Sequence, residues 1–151
     1  MDKEQLIRKL NWFYSLELNQ VELYTAQSKK VDDPYTARVL LRSAQIEDGH
    51  VQNISASIKE LGGEPTSLGD ILGPLSGKIA GHVIPLAGLS NMLKANIMLE
   101  QKAMADYKEL LSKVDDEGLK DLLWSNLIDE DLHTAWFKNK VQQLENPAHK
   151  S

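Results

Sequence analysis

Two Glu-x-x-His pairs, Glu47/His50 and Glu130/His133, each follow a lone glutamate by thirty residues, Glu17 in the first case and Glu100 in the second. A shift of 83 residues carries the first trio onto the second. The same shift carries Leu10 to Leu93, Tyr24 to Tyr107, Asp32-Asp33 to Asp115-Asp116 and Leu61 to Leu144. Coincidence of polar positions and hydrophobic frame points to two helical hairpins related by a pseudo-twofold axis. An α-helix turns about 100° per residue, so residues three apart project from nearly the same side. Each histidine therefore lies one turn from its glutamate, and four segments together supply six oxygen and nitrogen donors.

The hydrophobic periodicity places those donors on helices. Leu6, Leu10, Phe13, Glu17, Val21 and Tyr24 recur at three- and four-residue intervals and form one stripe of a helix over about 3–31. Asp2 with Gln5 can close a capping box at its start. Asp33-Pro34, an N-cap followed by proline in the first turn, opens a second helix over about 34–61 that stops at Gly62-Gly63. Its inward stripe holds Val39, Leu40, Ala44, Glu47, His50 or Val51, Ile54, Ile58 and Leu61. Residues 62–85 are rich in glycine and proline and break the rhythm, although Ser67 could cap a short helix from Leu68 to Leu72. The third and fourth helices are expected over about 86–114 and 116–145, with Asn146-Pro147 ending the last. The short join between the first two makes them antiparallel neighbours. The fold expected is all-α: a single domain over residues 1–151, an antiparallel four-helix bundle with a long connection between its second and third helices.

Composition narrows the chemistry. A chain of 151 residues, 42% hydrophobic and 26% charged, can bury a core without covalent staples. There is no cysteine, which excludes disulfides, zinc-thiolate clusters, iron–sulfur ligation and thiol catalysis within these residues. The net charge of −5 provides no general attraction to nucleic acid or anionic lipid. The opening MDKEQLIRKLNWF lacks the apolar core of a secretion signal, so the expected location is cytoplasmic.

Glu17 lies between Phe13 and Val21 on its stripe, and Glu100 among Ile97, Ala103 and Met104. A carboxylate buried in such surroundings needs a counter-charge or a shifted pKa. Four carboxylates set against two divalent cations approach neutrality, which makes their joint burial tolerable. Carboxylate and imidazole donors without sulfur favour two iron ions, with manganese as the alternative. Tyr24 and Tyr107 follow the lone glutamates by two helical turns and could hydrogen-bond them, or pass electrons near the metals. Asp129 could orient a ligand histidine on a neighbouring helix; its shift-matched position is Ile46, so that support would be asymmetric. The apolar stretch 79–93, with Ile79, Val83 and Leu86, could line a substrate entrance or rest on a membrane surface, but it is too short and broken to span a bilayer. His82 and His149 fall outside the constellation.

The whole pattern resembles the ferritin-like di-iron carboxylate superfamily over nearly all the chain except the irregular connection. That resemblance implies terminal carboxylates at Glu17 and Glu100, bridging carboxylates at Glu47 and Glu130, and terminal imidazoles at His50 and His133. The spacing from the first glutamate to the first pair, with a glycine- and proline-containing insertion and an apolar lead into the third helix, is similar to the demethoxyubiquinone hydroxylases. Rubrerythrin-like peroxidases and the iron-oxidising, iron-storing ferritins share close variants of the motif. The activity implied is that of a non-haem di-iron oxidoreductase acting with dioxygen or peroxide, its possible substrate a small apolar molecule. Without cysteine, peroxidase chemistry would draw on an external electron donor. The resemblance also implies a homodimer. Non-catalytic metal carriage and a metal-free scaffold are the alternatives outside enzymology.

Overall fold

Each of three helix starts is set by an aspartate. In the computed structural model, which describes residues 1–69 and 77–146 and the side chains of 1–69 and 88–146, Asp2 accepts a hydrogen bond from the Gln5 amide while the Gln5 side chain accepts one from the Asp2 amide. This reciprocal box opens α1 (Lys3–Ser28). Asp33 accepts from the Thr36 amide and opens α2 (Pro34–Glu60), with proline in the first turn where no amide is needed. Asp116 accepts from the Leu119 amide and opens α4 (Glu117–Glu145). Between them lies α3 (Gly77–Leu111).

The ends differ in detail from the periodicity. α1 stops at Ser28 rather than 31, because the Lys30 and Val31 amides both turn back to the Gln27 carbonyl. α3 stops at Leu111 rather than 114, where the Lys113 amide turns back to Leu110. Val31 and Val114, a pair matched by the 83-residue shift, leave helical geometry and pack on the core. α2 closes with the Gly62 amide on Lys59 and the Gly63 amide on Ile58, Gly62 having φ +73. This double bond pattern satisfies carbonyls the helix leaves open and needs a left-handed residue that glycine supplies without a Cβ clash.

The connection expected over 62–85 is shorter, since helical backbone begins at Gly77 instead of 86. Gly88, inside the span expected as helix, interrupts α3 with φ 74 and ψ 163, a conformation that suits glycine, and marks a kink. The short helix expected from Leu68 does not start there: Leu68 and Gly69 are non-helical, and residues 70–72 lie outside the described ones. The physical reason is a set of bonds to α1. Asn11 donates to the Glu64 carbonyl and accepts from the Thr66 amide, the Leu68 amide donates to Ser15 Oγ, and Asn19 donates to the Gly69 carbonyl. Asn11, Ser15 and Asn19 are four residues apart on one face of α1, so they strap residues 64–69 lengthwise along the helix, and Asn19 takes the Gly69 carbonyl that a helix from Leu68 would use as an acceptor.

α1 packs most extensively on α2 and α3 on α4; α1 also meets α3 along the bundle, while α2 and α4 approach more sparsely. The core joins Leu10, Phe13 and Leu23 of α1 to Leu40 and Ile54 of α2, Leu93 and Leu110 of α3, and Leu123 and Phe137 of α4. Among the described residues no helix is long and apolar enough to cross a membrane.

Candidate metal centre

The six glutamate and histidine positions converge in the middle of this core. Glu17, Glu47, Glu100 and Glu130 are fully buried, His50 is 3% exposed and His133 7%. Their donor atoms form two groups, one of Glu17, Glu47, His50 and Glu130 and the other of Glu47, Glu100, Glu130 and His133, each with its atoms within 4.8 Å of one another. Glu47 and Glu130 belong to both groups. Glu47 places Oε2 2.9 Å from His50 Nδ1 and Oε1 3.0 Å from His133 Nδ1. Glu130 places Oε1 and Oε2 3.6 Å from the same two nitrogens. Glu17 Oε2 is 3.6 Å from His50 Nδ1, and Glu100 Oε1 is 3.5 Å from His133 Nδ1. The pseudo-twofold written in the sequence thus passes between two glutamates that each offer one oxygen to either side.

Whether cations suit this cluster is tested by its own atoms. Glu17 Oε2, both oxygens of Glu47 and Glu130, and Nδ1 of each histidine are buried and lack a hydrogen-bond partner among the described residues; the close approaches of Glu47 to the imidazoles do not have hydrogen-bond geometry. Buried polar atoms are ordinarily satisfied, and seven orphans aimed at one another are a donor set that could hold metal ions. Without cations the cluster holds protons. Burial raises the Glu17 carboxyl to about 7, with the charge of Glu47 adding to the effect. Burial likewise raises Glu100 and Glu130, each further disfavoured by neighbouring carboxylates. Burial alone would depress both imidazoles, but the surrounding glutamates prevail, raising His50 strongly and pushing His133 up to about 12.

Around the donors, the two tyrosines cross over. The Tyr24 hydroxyl donates to Glu100 Oε1 and the Tyr107 hydroxyl to Glu17 Oε1. Burial and the adjacent glutamates raise both phenols well above their ordinary range, so they remain protonated donors. Asp129 Oδ2 lies 3.1 Å from His50 Nε2. With Nδ1 facing the cluster, the Nε2–H is the hydrogen that Asp129 accepts. His133 Nε2 has no such partner among the described residues, and its ring sits by those of Tyr24 and Phe137.

Two neighbours escape the sequence reading. Gln20 is fully buried and donates from Nε2 to Glu100 Oε2 at 3.1 Å. Asn126 is buried and donates to the Tyr107 hydroxyl at 3.1 Å. Signals for both exist: Gln20 follows Glu17 by the same three residues that separate Glu and His in the pairs, and Asn126 precedes Glu130 by one helical turn. The backbones of Ile79, Val83 and Leu86 lie in α3, but their side chains, like that of His82, are outside the described set, as is the whole of His149.

Comparison with known proteins agrees with this architecture. A bacterioferritin from Desulfovibrio desulfuricans, whose structure was determined with its diiron site in different catalytic states, superposes with a TM-score of 0.80 over 95% of this chain and 82% of that one. At 23% identity the likeness is one of fold. No curated protein matches the sequence. The ferritin-like domain matches residues 7–146, which take in almost the entire bundle and all six converging donors, and the chain belongs to the ferritin-like family.

Proposed function

We propose that this protein is a di-iron redox protein that oxidises ferrous iron with dioxygen or peroxide. The observation that carries this reading is the set of seven orphaned donor atoms in two groups sharing Glu47 and Glu130. Glu17 and His50 would complete one iron position, Glu100 and His133 the other, and manganese could occupy the same donors. When bound, such a pair would supply electrons from ferrous ions to dioxygen or peroxide.

The chain's own contribution is positioning, charge balance and exclusion of water. Four carboxylates offset two divalent charges in a pocket where the donors are at most 7% exposed. Tyr24 and Tyr107 hold the terminal carboxylates by one oxygen each. Asp129 fixes the tautomer and rotation of His50. Such deep burial favours small reactants, a ferrous ion and a diatomic or peroxide oxidant, over a bulky organic molecule. Hydroxylation of a small apolar substrate, or peroxidase turnover with an external electron donor, is the competing use of the same site.

The test is anaerobic loading with ferrous iron, elemental analysis, and stopped-flow exposure to oxygen. About two irons per chain are expected, with an oxygen-dependent ferric absorption and continued consumption of added ferrous ion. Binding without consumption of excess ferrous ion would redirect the reading to organic or peroxide substrates. No paired binding would leave a ferritin-like scaffold or carrier.

A further inference from the structure

The outward face of α4 is apolar where the fold does not require it. Trp124, Ile128 and Leu132 follow one another at four-residue intervals along the helix and remain 51%, 55% and 61% exposed. Trp136 continues the row, half-buried beside the exposed ring of Tyr35 from α2. The 83-residue shift supplies a comparison within the chain, because the matching places on α2 are Leu41, Gln45, Gly49 and Asn53, with a single large apolar residue among them. A helix in the equivalent place of the same bundle therefore folds without this row. Scattered exposed leucines need no explanation, but a line of large side chains running about 12 Å from Trp124 to Leu132 is the character of a surface that is covered.

The charges around the row say what covers it. Glu117, Asp121 and Asp131 share this face of α4, and Lys138 borders its C-terminal end. A lipid surface is disfavoured, since a helix seated on a membrane carries lysine and arginine around its apolar side rather than three acids. A parallel contact between two copies would set each acid against itself. In an antiparallel contact centred on Ile128, Trp124 meets the second copy's Leu132, Ser125 meets the second copy's Asp131, and Glu117 lies by the second copy's Lys138 and Asn139. The same patch then serves both copies, apolar against apolar and acid against base.

We propose that two copies of this chain pair through α4, antiparallel about Ile128, with their Trp124, Ile128 and Leu132 rows interleaved and Glu117 of each copy facing Lys138 of the other. The contact lies beside the donor cluster. Leu132 is one turn from Asp129, the partly buried support of His50, so a second copy on this face withdraws that carboxylate further from water.

Sedimentation equilibrium of the full chain over the micromolar range tests this. The unaltered chain is expected at twice the chain mass. Ile128→Asp puts two carboxylates at the centre of the contact and should weaken pairing about 30-fold or more, while helical content by circular dichroism stays the same because the position is exposed. Glu117→Lys and Lys138→Glu should each weaken pairing, and the two changes together should restore it. A dimer or larger assembly untouched by Ile128→Asp overturns the proposal, since the copies would then join by another face. A double variant no tighter than the single ones overturns the antiparallel arrangement. A monomer throughout overturns the proposal too and leaves the row to another occupant, a lipid surface if the chain then co-sediments with phosphatidylcholine vesicles. If Ile128→Asp folds poorly, the charge exchange between positions 117 and 138 decides the matter.

Discussion

A carboxylate with two orphaned oxygens in a protein core is costly unless something positive lies between them. Glu47 and Glu130 are both in that position, while Glu17 and Glu100 each have at least one oxygen tied to a tyrosine. The bridging pair should therefore be the most sensitive to truncation. Glu47→Ala and Glu130→Ala are each expected to reduce bound metal from two ions per chain by at least one, measured by elemental analysis after dialysis against excess Zn²⁺ or Fe²⁺; unchanged stoichiometry in both would remove their role as bridges. Tyr24→Phe separates positioning from packing. It keeps the ring that lies against His133 and Phe137, and loses only the hydroxyl that donates to Glu100. Loss of one such bond costs about 1–2 kcal/mol, so the variant should fold and retain metal while the rate of ferrous oxidation changes. A large loss of folded protein, with normal rates in what remains, would show that Tyr24 acts by packing.

At the scale of elements, what could be read from the sequence is what local chemistry decides. The Asp2/Gln5 box, the Asp33-Pro34 start and the Gly62-Gly63 stop each depend on residues within one turn, and each is where the sequence places it. The six converging donors were legible for a related reason: helical spacing fixes the face, and the 83-residue repeat fixes the pairing. The strap was not legible. Asn11, Ser15 and Asn19 lie off the apolar stripe of α1, and their partners are 50 to 55 residues away in sequence. The start of α3 was obscured because glycine and proline argue locally against helix, and propensity is a weak guide that tertiary context overrides. Two predictions belong here. In Asn11→Ala the Thr66 amide, which donates to Asn11 Oδ1 at 2.6 Å, should lose most of its protection against hydrogen exchange while amides in the middle of α2 keep theirs; equal loss in both would mean that the strap is part of the bundle's global stability. Gly62→Ala must place a Cβ at φ +73, a cost of about 1 kcal/mol. In a chain of this size that corresponds to a fall of roughly 2–4 °C in Tm, and no fall in a thermal melt would mean that the α2 terminus relaxes out of its left-handed turn.

For the whole molecule, the cluster couples folding to protonation, and any metal bound by the same atoms would enter that equilibrium. Glu17 is raised from 4.5 to about 7, chiefly by burial, and Glu100 and Glu130 are raised for the same leading reason. Between those values the folded protein keeps protons that the unfolded chain has released, so each step upward in pH withdraws stability. The histidines act with the same sign at higher pH. Their folded values lie above the ordinary 6.5, about 12 for His133, so their contribution is complete below 6.5 and is lost as pH rises toward the folded value. Carboxylates with lowered values work elsewhere: Asp33, brought down to about 2 chiefly by the Thr36 hydroxyl and with help from Lys140, and Glu109 and Glu145, lowered by lysines, give up stability only as pH falls below the ordinary carboxylate range. The metal-free protein should therefore melt at progressively lower temperature as pH rises from about 5 to about 8, the reverse of ordinary acid denaturation. Divalent cations compete with those protons for the same atoms, so their stabilising effect should grow across the same interval. At free metal about 100 times Kd it amounts to about 2.7 kcal/mol for one site. Calorimetric melts at several pH values, with and without Zn²⁺, would show the two curves diverging as pH rises. Parallel curves would mean that metal binding displaces no protons from Glu17, Glu100 or Glu130, and a metal-free Tm that climbed with pH would mean that these three carboxylates reach water in the folded state.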